Sequence, residues 1–276
     1  MSALIIARLT FREAARRWVL WVALILGIVF LVIYALGFYE IQKDMQSSSS
    51  STIVYSEIYN FIFMAGLYAI NFMTIMMAVL TSVDTLSGEI ASGTIHTIVS
   101  KPLARWEIVI GKWLGFAGML LLYMLLMSGG VILIVYGISG YTAPNILPGL
   151  ALVGLNALLL LSVSLLGGAS LSTLANGVLV FGLYGIAFIG GWIEQFGSFL
   201  NNQAAINIGI ISSLIMPSEA LWRRAAFDMQ SPLVSAMGFS PFSSNSVPSP
   251  YMIVYAILFM GGVILLAIWQ FNRRDL

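Results

Sequence analysis

Residues 18–38 read WVLWVALILGIVFLVIYALGF, without a charge or a proline. A helix of roughly 20 apolar residues crosses the hydrocarbon core of a bilayer, and this run is long enough to do so. Arg8, Arg12, Arg16 and Arg17 stand ahead of it, as basic residues also do in a secretory signal. The run is nevertheless too long for the apolar centre of a signal, and Ala35-Leu-Gly37 is a weak cleavage site, so it reads as a first span. Residues 2–17 permit two readings. Leu4, Ile5, Leu9 and Phe11 against Arg8, Arg12, Glu13 and Arg16 suit an interfacial amphipathic helix, or the residues are a solvated basic flank.

The rest of the chain agrees with a membrane setting. Of 276 residues, 60% are hydrophobic and 8% charged, where a soluble domain carries about a quarter charged residues to cover its surface. Mean hydropathy is +0.98. Net charge is +1, so nothing suggests a nucleic-acid partner. Cysteine is absent, which rules out a disulfide or a thiolate metal site, and with a single histidine a zinc or haem site is not expected.

Five further apolar runs lie near 58–83, 113–138, 145–172, 176–193 and 250–271. The third and fourth are joined by SGYTAPN and the fourth and fifth by TLAN, so these three are expected as antiparallel neighbours. The predicted fold is all-α: six transmembrane helices in one domain over 1–276. The longer connections are 39–57, with a serine run from Ser47 to Ser51, and 194–249. Basic residues cluster before span one, between spans two and three (Lys101, Arg105, Lys112) and after span six (Arg273, Arg274). The positive-inside rule then places both termini and 84–112 in the cytoplasm.

None of these six runs contains Lys, Arg, Asp, Glu or His, which disfavours ion-coupled carriers that keep a charge near the midplane. Their polar members include Asn71, Thr74, Asn156, Ser162 and Ser164, expected to bond between helices. Gly111, Gly115 and Gly118 share one side of the third span and invite close approach of another helix, within the chain or in a dimer. Catalytic signatures are missing. Gly111-Lys112 is no phosphate loop, because Trp106 stands where its first glycine belongs and Trp113 follows. The chain is not expected to be an enzyme.

One stretch is rich in charge: SGEIASGTIHTIVSKPLARWEIVIGKWLG, residues 87–115. Apolar positions 86, 90, 91, 95, 98 and 99 form a helical stripe, with Ser87 and Asp84 placed to satisfy amides at its start. Lys101-Pro102 ends it, since the residue before proline is pushed out of the α region. A second amphipathic piece from Leu103 runs into the third span. This is either a topology-fixing connector or a docking surface for a cytoplasmic partner.

The order Glu89, Gly93-Thr94, Ser100-Lys101-Pro102-Leu-Ala-Arg105 and Gly111-Lys112 resembles the permeases of type-2 ABC transporters. The ending Phe271-Asn-Arg-Arg-Asp275-Leu is also similar, and the likeness covers essentially the whole chain. It implies a membrane-spanning subunit of an ABC exporter in a prokaryotic plasma membrane. That subunit would pair with a second permease, as homo- or heterodimer, and with separate cytoplasmic ATPase subunits. ATP and Mg would bind the partner ATPase, and this chain would carry no cofactor and no metal. A coupling helix between spans two and three would meet the ATPase through Glu89, Gly93, Thr94, Lys101, Pro102 and Arg105. Short external helices would lie between spans five and six. There Ile206–Ile215 is apolar enough to dip into the membrane, and Ser218 and Glu219 mark a second helix start that Ser218 is placed to cap. Neutral, aromatic-rich spans favour a hydrophobic substrate. The competing classes are a carrier or channel without ATPase, and a membrane scaffold for a cytoplasmic protein.

Overall fold

The structure, a computed structural model, describes residues 2–46, 52–92, 104–231 and 246–273. The described residues form helices and no strands. They are α1 (Ser2–Arg16), α2 (Trp18–Gln46), α3 (Thr52–Ser82), α4 (Ser87–Ala91), α5 (Arg105–Ser139), α6 (Ile146–Gly168), α7 (Thr173–Phe199), α8 (Gln203–Ile215), α9 (Ser218–Met229) and α10 (Tyr251–Asn272). Six of these are long and apolar enough to cross a membrane: α2, α3, α5, α6, α7 and α10. The bundle winds around α6, the most buried of them, while α2 lies at the periphery. Apolar side chains such as Ile25 and Ile33 on α2, or Leu258 and Leu265 on α10, point outward, as lipid permits and water does not.

Helices run past the apolar windows because backbone hydrogen bonding does not stop where hydropathy falls. α2 continues to Gln46 and α3 starts at Thr52, so most of 39–57 is helical. α5 begins at Arg105, where the Glu107 carboxylate accepts from the Ala104 amide at 3.3 Å. It ends at Gly140, whose φ of 70° is the left-handed stop that glycine adopts without strain. The turn between α6 and α7 is Ala169–Ser172, ahead of the expected TLAN link. Thr173 to Asn176 are already helical, and Ser172 caps them by accepting from the Ala175 amide. α7 also runs on to Phe199 and so takes in Glu194, at 3% exposure. The expectation of a charge-free fifth helix is therefore corrected.

The alternation places the ends of α3, α6 and α10, the starts of α5 and α7, and α1 on one face, here the termini face. The far face carries the α2–α3 and α5–α6 connections and the α8–α9 hairpin, bent by 108°. Far-face bonds tie these parts together. Gln42 Nε2 donates to the Ile138 carbonyl at 2.6 Å. Asn60 Nδ2 donates to Tyr141 Oη at 2.7 Å and to the Met229 carbonyl at 3.2 Å, and Asn145 Nδ2 donates to the Asp228 carbonyl at 3.1 Å.

The glycine side of α5 meets α1. A Cβ on Gly111 would come within 2.6 Å of Ile6 Cβ and 2.8 Å of the Ala3 carbonyl; one on Gly115 would meet the Ala7 carbonyl at 2.7 Å. Of the two possibilities, packing within the chain is the one realised. α1 keeps Leu4, Ile5 and Leu9 exposed on its other side, as an interfacial helix requires.

Candidate functional site

On the termini face, α4 follows the end of α3 and is joined to α5 and α7 by side-chain bonds. Glu89, from α4, faces Lys112, about two turns into α5. Their Oε1 and Nζ atoms are 2.5 Å apart, and the lysine side chain is only 4% exposed. A buried ammonium demands such a partner, because an unpaired charge in a low-dielectric interior is expensive. This pair therefore fastens the short helix to α5, whose glycines hold α1.

Asp84 and Ser87 do not cap α4, whose start has no side-chain hydrogen bond. They reach across to α7 instead. Thr173 Oγ1 donates to Asp84 Oδ1 at 2.9 Å and lies 2.9 Å from Ser87 Oγ. Asn176 Nδ2 donates to the carbonyls of Val83 and Ser164, at 3.1 and 2.9 Å. The local capping expectation fails because a partner from another helix competes for the same oxygens.

Arg105 does not stand beside Glu89. Its guanidinium donates to the Asn272 carbonyl at 3.0 Å and the Phe271 carbonyl at 3.5 Å, at the negative end of α10. The termini face thus links α4 to α5 through Glu89, α4 to α7 through Thr173, and α5 to α10 through Arg105. Gly93, Thr94, Lys101 and Pro102 lie outside the described residues.

Within the bundle, Asn156 Nδ2 donates to Asn71 Oδ1 at 3.1 Å and Trp113 Nε1 to Ser162 Oγ at 2.9 Å, both between helices. Thr74 instead turns back to its own helix, at the Ile70 carbonyl.

A second charged centre, on the far face, has no counterpart in the sequence reading. Arg223 of α9 reaches Glu194 of α7 at 2.7 Å, both side chains 4% exposed, and donates to Ser213 Oγ of α8 at 3.1 Å. Ser246 Oγ donates to the same Glu194 oxygen at 2.5 Å. Glu219, one turn before Arg223, is also buried. Burial pushes its carboxyl up to about 7, while the Arg223 charge pulls it down less. Ser218 is the first helical residue and makes no cap, since Pro217 occupies the cap position. The i,i+4 spacing of Glu219 and Arg223 was the available signal; Glu194, the partner of Arg223, was hidden at the edge of an apolar run.

Six crossing-length helices, a centre of neutral hydrogen bonds and a charged, interlocked junction at the termini face define a multi-pass membrane protein. Residues 4–276 match the model of a family described as ABC-2 family transporter protein, and the chain belongs to that family. It is a membrane subunit of an ABC transporter. No curated protein matches it in sequence.

Proposed function

We propose that this chain is the permease of an ATP-driven exporter, with the termini face cytoplasmic, coupled there to a separate ATPase that binds ATP and Mg. The observation that carries the reading is the Glu89–Lys112 pair, whose lysine is buried and whose glutamate is partly so. A connector that only fixes topology needs no buried ion pair. A segment that transmits a push needs a stiff attachment to a spanning helix, and coupling further requires that the partner contact the two permease states differently. Glu89 then acts mainly by holding the segment that follows it, which carries Gly93, Thr94, Lys101 and Pro102 as the contact residues of this reading. Arg105 holds the start of α5 to the end of α10. The path would form against a second permease, and the aromatic ladder Tyr184–Phe188–Trp192–Phe196 along α7 suits a hydrophobic cargo.

Co-purification from native membranes in mild detergent, with partners identified by mass spectrometry, tests this. A stoichiometric P-loop ATPase is expected, its retention reduced by Glu89→Gln. Recovery of the chain without one, from a preparation that keeps other membrane complexes whole, would sink the reading in favour of a carrier or scaffold.

A further inference from the structure

The far-face cluster is unbalanced. Two carboxylates, Glu194 and Glu219, share one guanidinium, Arg223, and all three are buried. Glu194 takes Arg223 directly, with the Ser246 hydroxyl on the same oxygen, while its Oε2 has no hydrogen-bond partner among the described residues. Glu219 lies instead against the backbone of α7, where a Cβ on Gly191 would come within 2.3 Å of its Cγ. A Cβ on Gly209 of α8 would likewise meet Glu194 Cβ at 2.2 Å. Both glycines leave room for a carboxylate side chain at a helix crossing, so the packing of the α8–α9 hairpin on α7 is built around these acids.

The other titratable groups around Glu219 do not neutralise it. On α9, Arg224 is paired with Asp228 at 3.1 Å. α3 contributes Tyr68, whose ring packs on Trp222, and α7 contributes Tyr184; a phenol is neutral over the ordinary pH range. α10 contributes Tyr255, whose hydroxyl donates to the Leu214 carbonyl at 2.5 Å. α6 and α8 contain no titratable residue. Among the described residues, one negative charge is therefore left over whenever both acids ionise.

We propose that Glu219 is a proton-binding site whose occupancy holds the α8–α9 hairpin packed against α7, and that proton loss loosens the hairpin. The proposal concerns the far face alone and does not rest on the exporter reading. Burial raises the Glu219 carboxyl to about 7, so the packed state holds its proton more tightly than an opened, hydrated state would. The stabilisation is complete below the ordinary carboxylate range and is lost as pH rises through about 7.

The test is amide hydrogen exchange of the full-length chain in lipid nanodiscs, corrected for the intrinsic rate, at about pH 6 and about pH 8.5. For wild type, opening of 203–229 is expected to rise about tenfold across that range, with amides of α5 and α6 unchanged. E219Q keeps a neutral group at the site, and its hairpin is expected to stay protected with a flat profile. A flat wild-type profile, or an E219Q profile with the wild-type slope, overturns the proposal. A second readout needs no variant: difference infrared spectra of wild type should lose a protonated-carboxyl band between the same pH values. Absence of that band also overturns it.

Discussion

The two faces of the molecule solve the same problem differently. At the termini face one acid meets one base, Glu89 and Lys112, and the charges cancel. At the far face two acids meet one base, and in our proposal a proton on Glu219 cancels the remainder. A balanced buried pair behaves as a permanent fastener, whereas an unbalanced one has two states separated by a proton. The contrast matches the tasks proposed for the two faces: rigid transmission at one, a hairpin that can loosen at the other.

The sharpest way to break the contrast is to remove the base on each side. Arg223→Met leaves two buried carboxylates, and Lys112→Met leaves one. Loss of a partner from a buried pair costs about 3–5 kcal/mol, and Arg223→Met is expected at or above the top of that range. Thermal unfolding in nanodiscs checks the order, and adding Glu219→Gln to Arg223→Met should recover part of the loss. Next, Glu89→Gln with Lys112→Met removes both charges together. The double variant is expected to lose less stability than the sum of the singles, with a coupling of about 0.5–3 kcal/mol in a double-mutant cycle. Simple additivity would mean that the two side chains do not act as a unit.

Gly115→Val probes the attachment of α1 to the same face. Its side chain would drive into the Ala7 carbonyl and Thr10, for a loss of about 1–3 kcal/mol in thermal unfolding. Gly137→Ala, with nothing within 4 Å, is the matched control. The smallest effect is expected between the faces: Asn71→Ala removes the interhelical bond to Asn156 and should cost about 0.6 kcal/mol, read as a small shift in the same melting curve.

Legibility in the sequence followed the range of the interaction. The crossing helices stand out because each apolar run answers to lipid on its own, and the closeness of some helix to Gly111 and Gly115 could be read from glycine spacing. That the helix would be α1 could not, since nothing local joins residues 3–10 to 111–115. Ser87 and Asp84 misled for the same reason: their spacing suits a cap, but Thr173 offers a tertiary partner. Glu194 escaped notice because a hydropathy window ends at the first charge and does not ask whether Arg223 will cover it.

By itself, then, the sequence determined an all-helical membrane chain with six crossing helices, whose ends overran the apolar runs by up to eight residues, and the polar segment that marks its family. Hydrophobic length and charge asymmetry act on one segment at a time, so they survive in a linear reading. Tertiary structure alone decided which charges are balanced, which glycines are occupied and by what, and that Glu219 is buried without a base of its own. Those depend on low-dielectric contacts between helices far apart in the chain, where the same carboxylate is a fastener or a titrating group according to what packing brings beside it.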